Sequence, residues 1–222
     1  MASPPPDPRA GGFALLTIDM QRDFALPSSP SHIPGTAEVA EQNRTLVKAF
    51  RSAGRPIMHM VRLYLPDGSN AELSRRAYLE AGNQLVCPGT SGAELLDELK
   101  PEATVFLDAD VLMSGRPQQV GPAEWIMYKP RWGAFYATSL EDHLRSLSVD
   151  TVVICGCNFP NCPRTTIYEA SERDFHIVFV PDATSGVYAR GLDELRGIGA
   201  AIQDAEQFVS WLREKPLVGG PA

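Results

Sequence analysis

Short apolar runs alternate with helical patterns along nearly the whole chain. That alternation constrains the fold more than any other feature. GFALLTIDM (12–20), RPIMHMVRLYL (55–65), EWIMYK (124–129), DTVVICG (150–156) and FHIVFVPDA (175–183) read as strands. Near-continuous apolar runs of this kind belong to strands buried on both faces. Helical patterns occupy 36–54, 92–100, 139–147, 163–174, 189–202 and 204–215. In the first, Val39, Leu46, Val47, Phe50 and Ala53 recur at near-helical spacing, with Thr36 as a candidate N-cap and Gly54 as a stop. The links are short and no internal repeat appears. The expected class is α/β, a three-layer α/β/α domain around a doubly wound parallel sheet. One domain is expected over 12–214, with tails at 1–11 and 215–222. Residues 66–92 carry Pro, Gly, Asn and Ser and read as an irregular excursion.

Composition narrows the function classes. The chain has 222 residues and is 44% hydrophobic, enough for one sizeable core. Charged residues make up 21% with both signs mixed, which argues against disorder. The net charge is −7 and no Lys/Arg block stands out, so nothing favours nucleic acid or an anionic membrane as partner. No apolar stretch approaches the ~20 residues of a membrane helix. The opening MASPPPDPRAGG lacks the ~7–15 apolar residues of a secretory signal. A cytoplasmic location is therefore expected, with Cys87, Cys155, Cys157 and Cys162 as free thiols.

In open parallel sheets, ligands bind outside the carboxyl ends of the strands. Three polar residues fall there: Asp19 after LLTI, Lys129 after WIMY, and Cys162 beyond the loop that follows VVICG. Cys162 occupies the expected N-cap of a helix and Pro163 its first position. Cysteine caps poorly, because its sulfur is a weak acceptor. The free N–H groups and dipole of a helix start do favour an anion, and a thiolate is one. Such a setting lowers a thiol pKa below ~8.5 and makes a nucleophile. The alternative is one more small buried residue. Cys155 fits the strand core, Cys157 is ambiguous and Cys87 incidental. Asp19 could instead cap a turn, and Lys129 could extend its ammonium to water. Taken together, an acid, a cation and a thiol are what covalent acyl transfer uses.

The segments LLTIDMQRDF, YKPRWGAFYATSLEDHL and VVICGCNFPNCPRTTIYEASERDF resemble the isochorismatase-like cysteine hydrolases. The likeness spans roughly residues 12–210. It implies a six-stranded parallel sheet and a catalytic triad of Asp19, Lys129 and Cys162. It also implies a cis peptide at Cys157–Asn158, with Phe159–Pro160 as the other candidate. That loop would aim the backbone amides of Asn158 and Cys162 at an oxyanion. The reaction implied is cleavage of an amide, carbamoyl or lactam C–N bond of a small molecule through a thioester, in a homo-oligomer (dimer or tetramer). Two rivals remain: a vinyl-ether hydrolase of the isochorismatase type, which needs no thiol, and a thiol redox module using Cys157 and Cys162. Metal-binding relatives carry Asp-x-His and a later His after the second strand. Here His59 lies inside the strand and no second His follows nearby, so no metal and no other cofactor is expected. Among aromatic residues near strand ends, Phe24, Trp132, Phe135 and Phe159 are candidates for the pocket wall. Arg131 and Arg164 are each either a carboxylate anchor or a surface residue.

Overall fold

A computed structural model describes residues 12–29 and 31–214; the tails expected at 1–11 and 215–222 lie outside the described residues. The strands are β1 (Gly12–Ile18), β2 (Ile57–Val61), β3 (Gln118–Gly121), β4 (Glu124–Tyr128), β5 (Val149–Gly156), β6 (His176–Thr184) and β7 (Ala201–Ile202). The helices are α1 (Arg22–Ala25), α2 (Ala40–Ser52), α3 (Leu73–Glu80), α4 (Ala109–Met113), α5 (Leu140–Ser146), α6 (Cys162–Ser171), α7 (Ala189–Gly197) and α8 (Ala205–Glu214).

The strands form one sheet in the order β3-β4-β2-β1-β5-β6-β7. Six of them run parallel, as the resemblance implies, and β3 adds an antiparallel edge beside β4. β3 and β7, the two edge strands missing from the five apolar runs read in the sequence, are short and polar or mixed, so they carry little strand signal of their own. Ala201 and Ile202 sit in the expected helix 189–202. They instead continue the sheet beyond Val178 and Phe179 of β6.

Alternation along β1 supplies both halves of the core. Phe13 and Leu15 face one layer, with Phe50 of α2 and Phe208 of α8. Ala14, Leu16 and Ile18 face the other, with Leu144 of α5, Ile167 of α6 and Leu195 of α7. A period of two on a central strand buries every side chain only when both faces are covered.

Residues 92–100 do not form the expected helix. They make two 3₁₀ turns, Ser91–Ala93 and Asp97–Leu99, with Leu95 bridged to Gln21 between them. The Gln21 amide donates to Ala93 O (2.7 Å) and Arg62 O (2.8 Å). The bond to Ala93 O satisfies a backbone group of this segment that a helix would have paired locally. The irregular excursion holds the eight-residue α3.

From β1 the chain builds outward through β2 and β4 on one side and through β5, β6 and β7 on the other. The order reverses between β1 and β5, and a crevice opens at the carboxyl ends of strands at such a switch point.

Candidate active site

Asp19 follows β1 directly at this switch point. Its backbone takes φ +52°, a left-handed conformation that Asp tolerates better than most residues. Its amide donates to Met60 O at 2.9 Å. Lys129 directly follows β4, and its amide donates to Val61 O at 3.0 Å. Its side chain crosses the end of β2 to place Nζ 2.9 Å from Asp19 Oδ2. Nζ also donates to Arg131 O (3.2 Å) and Trp132 O (3.1 Å). Three acceptors match the three donors of an ammonium. Lys129 is fully buried and Asp19 nearly so. The second Asp19 oxygen, Oδ1, is buried with no hydrogen-bond partner. An unpaired buried carboxylate oxygen is costly in a fold that otherwise pairs its polar groups, and it points to chemistry there.

Gly156 brings the thiol to this pair. Its φ is +118°, and a Cβ at that position would stand 2.2 Å from Ile18 O. Only glycine lets β5 close so tightly on the end of β1. Cys157 N–H then donates to Ile18 O at 2.8 Å. Asn161, at φ −116° and ψ −98°, caps α6, and Cys162 is its first helical residue. The cap is thus one residue earlier than the sequence suggested. No peptide bond among the described residues is cis, so neither Cys157–Asn158 nor Phe159–Pro160 has the isomer implied by the resemblance. The unusual dihedrals of Gly156 and Asn161 make the turn instead. Phe159 N–H donates to Ser185 O (2.8 Å) and Asn161 N–H to Asn158 O (3.1 Å). The amides of Asn158 and Cys162 donate to no acceptor among the described residues.

Half-buried Cys162 opens onto the same cleft as Asp19. Burial pushes its thiol pKa up, and the neighbouring Asp19 charge pushes further in that direction; Lys129 and Arg62 oppose without prevailing. Burial and Asp19 both act against the lowering expected from a helix start alone. Cys157 is buried, and burial pushes it up to about 12, with the Thr36 hydroxyl 3.3 Å from its sulfur acting in the opposite direction. Cys155 is core, also pushed up by burial.

Helix α6 also clamps the loop after Lys129. Thr166 Oγ1 accepts from Ala134 N–H (3.1 Å) and donates to Cys162 O (2.8 Å). The Glu169 carboxylate accepts from Phe135 N–H at 2.9 Å and fills the space where a Gly133 side chain would be, 2.1 Å from that Cβ position. Nucleophile and ammonium are thus tied through one helix turn.

Of the aromatic candidates, Phe24 and Trp132 line the cleft. Phe159 does not: it is fully buried against Phe179 (5.1 Å between centroids) and Tyr188 (5.3 Å). Phe135 is turned inward onto Phe175 at 5.6 Å. Both backbones are held by the hydrogen bonds above, which direct the rings into the helix layer. Neither Arg131 nor Arg164 reaches the cleft. Arg131 donates to Asn70 O and Pro130 O, and Arg164 pairs with Glu194 and Tyr188. The arginines that do line it are Arg62 and Arg75, which strand and loop patterning did not reveal. Arg62 is buried and donates to Lys129 O (3.2 Å), Tyr64 OH (2.6 Å) and Glu72. Glu72 also accepts from Tyr64 OH (2.7 Å) and Trp132 Nε1 (3.0 Å). Burial opposes the Glu72 charge, but Arg62 and these donors hold its pKa below the usual carboxylate range.

The donors after β2 do not suit a metal ion. His59 is spent inside the sheet, Nδ1 on Thr17 (2.7 Å) and Nε2 on Glu124 (2.8 Å). The next cleft residues, Arg62 and Tyr64, offer a guanidinium and a phenol whose pKa burial raises. Among the described residues no helix is long and apolar enough to cross a membrane. A larger groove, about 730 Å³, runs past Thr45, Gly54 and Leu212 at the amino ends of the strands and has no thiol or acid in its lining.

Comparison with known proteins bears on the family and the fold. A family model described as the isochorismatase domain matches residues 13–207. The chain is 28% identical over 192 residues to a probable inactive nicotinamidase of Arabidopsis thaliana, covering 84% of this chain and 89% of that one. It is 27% identical over 218 residues to the ureidoacrylate amidohydrolase RutB of Methylobacterium radiotolerans, covering 90% and 75%. The crystal structure of an isochorismatase family protein from Desulfovibrio vulgaris superposes with a TM-score of 0.77 at 29% identity, covering 91% of this chain and 99% of that one. The matched segment begins in β1, ends in α8 and contains Asp19, Lys129 and Cys162: this chain belongs to the isochorismatase family.

Proposed function

We propose that the chain is a cysteine-dependent amidohydrolase that cleaves a non-peptide C–N bond of a small molecule through a thioester. The observation that carries this reading is the buried Asp19–Lys129 pair, with one carboxylate oxygen unpartnered, beside the thiol of Cys162. The amidohydrolase activity in the name of the RutB relative supports the same reaction class.

The resting thiol sets the order of events. A carbonyl oxygen enters between the amides of Asn158 and Cys162, the two donors left free in the loop. Asp19 Oδ1 takes the thiol proton as sulfur attacks the carbonyl carbon. Neutralising Asp19 leaves the Lys129 charge without its counterion at the moment the sulfur becomes an anion. The ammonium then stabilises the thiolate it could not hold at rest. The negative charge passes to the tetrahedral oxygen, where fixed donors in a dry site act strongly. Asp19 returns its proton to the leaving nitrogen, the C–N bond breaks, and an S-acyl enzyme remains. Water, losing its proton to Asp19, attacks the thioester and releases a carboxylic or carbamic acid together with the thiol.

The test is release of ammonia from a panel of amides, ureido acids and carbamates, and ring opening of lactams, run beside isochorismate. The expected result is turnover of a C–N substrate, loss of at least ~10³-fold activity in Cys162→Ala with an unchanged circular dichroism spectrum, and an acyl adduct on Cys162 by intact mass. Undiminished hydrolysis by Cys162→Ala would sink the reading. Cleavage of isochorismate alone, surviving that substitution, would replace it with the vinyl-ether reaction.

A further inference from the structure

The charges around the cleft do not cancel. Asp19 is paired with Lys129 and Glu72 with Arg62. Arg75, in the first turn of α3, lines the same cleft half-buried. Its guanidinium has no hydrogen-bond or ion-pair partner among the described residues. Lys129, buried behind the wall, neutralises Asp19 and Arg62 neutralises Glu72, so Arg75 is the one charge of the cleft lining left without a counterion among the described residues. Arg62 adds capacity: its three hydrogen bonds leave two of the five N–H donors of a guanidinium uncommitted.

The cleft as it stands is also closed. Its volume is about 40 Å³, against roughly 300–1,000 Å³ for sites that hold small ligands. Its outer wall is the start of α3. Its first residue, Leu73, is 82% exposed, and its cap residue Glu72 makes the bonds to Arg62, Tyr64 and Trp132 that tie it to the body. Arg75, two residues into α3 from its first residue, therefore stands on the outer wall of the cleft, where an entering ligand meets its unpaired guanidinium.

We propose that Arg75, backed by Arg62, is an anion subsite: the substrate carries a carboxylate in addition to the scissile amide, and that carboxylate neutralises the Arg75 charge. This rests on the amidohydrolase reading of the cleft and names the substrate class within it. A planar guanidinium suits a carboxylate because two parallel N–H donors meet two oxygens. Desolvation inside the cleft makes the pair stronger than a surface contact.

The test compares half-amides with their diamides at three lengths: malonamate, succinamate and glutaramate against malonamide, succinamide and glutaramide. Binding is measured by calorimetry to Cys162→Ala, which removes the nucleophile, and to Cys162→Ala combined with Arg75→Ala, Arg75→Lys or Arg75→Glu. The expected result is at least a tenfold preference of Cys162→Ala for one half-amide over its diamide. That preference falls to near unity with Arg75→Ala, is partly kept with Arg75→Lys, and inverts with Arg75→Glu. In the otherwise intact enzyme, Arg75→Ala raises KM for the preferred half-amide far more than it lowers kcat. Equal affinity for acid and diamide at every length, no binding of any half-amide, or a preference that survives Arg75→Ala overturns the subsite. An Arg75-dependent preference with no hydrolysis of any amide by the intact enzyme keeps the subsite and removes the hydrolase reading.

Discussion

Lys129 Nζ lies 2.9 Å from Asp19 Oδ2, and both side chains are withdrawn from water. Two charges in that position hold each other in place. Neither is tolerable alone, because the desolvation cost of an unpaired buried ion exceeds what the surrounding dipoles return. The pair is therefore a structural requirement of the fold as well as the acid–base element of the proposed reaction.

Lys129→Met leaves Asp19 uncompensated and should cost about 3–5 kcal/mol of stability. The double variant Asp19→Asn/Lys129→Met should lose clearly less than the sum of the two single losses. Urea unfolding midpoints of the four proteins measure this coupling directly. Additive losses would show that the pair is energetically unlinked.

Asp19→Asn should move two readouts in opposite directions. It removes the charge that, after burial, raises the Cys162 thiol pKa, and leaves Lys129 to lower it. More thiolate is then present at neutral pH, so alkylation of Cys162 by iodoacetamide should speed up relative to the unmodified protein. Hydrolysis should fall by roughly 10²–10⁴-fold, because the proton acceptor and donor is gone. Parallel loss of both would mean that Asp19 promotes the thiolate in the resting enzyme, by accepting its proton, rather than opposing it.

Gly156→Ala tests the turn that presents the nucleophile. Its φ of +118° and the 2.2 Å approach to Ile18 O forbid a Cβ without backbone movement. A loss of roughly 2–4 kcal/mol is expected, since strain and a steric clash act together. Activity should fall even where the protein remains folded, because separation of β5 from β1 carries Cys162 away from Asp19. Thermal unfolding and turnover at a temperature well below the midpoint separate the two effects.

Acid stability should depend on Glu124. Burial raises its pKa, but Arg51 and His59 outweigh that and hold it at about 2, against an ordinary value of 4.5. A carboxyl depressed in the folded state contributes stability that is present above pH ~4.5 and lost as pH falls toward ~2. The shift corresponds to roughly 3 kcal/mol. Between pH 7 and pH 3 the unmodified protein should therefore lose more stability than Glu124→Gln, although the variant starts lower. Urea titrations at the two pH values decide it, and an equal slope in both proteins would remove Glu124 from the acid transition.

Much of this architecture is legible in the chain. The apolar runs ending at Ile18, Tyr128 and Gly156 mark strands, and the residues beyond them mark the functional edge, because strand ends and period-two burial are local properties. Other features resisted reading for identifiable reasons. The segment 92–100 has a helical pattern, yet Gln21 competes for its backbone. Ala201–Ile202 becomes a strand only because β6 offers an unpaired edge. Phe135 and Phe159 carry the composition of a pocket wall, but backbone bonds to Glu169 and Ser185 turn them inward.

The amino-acid sequence by itself determined the α/β alternation and the placement of Asp19, Lys129 and Cys162 at strand ends and a helix start, since spacing and local pattern suffice for both. Only the tertiary structure decided that burial and Asp19 push the Cys162 thiol pKa up, that the loop turns through Gly156 and Asn161 without a cis bond, and that Arg62 and Arg75 face the cleft. These depend on which distant groups desolvate, pair with or leave unpaired a given side chain, and through-space electrostatics has no signature in the order of residues along the chain.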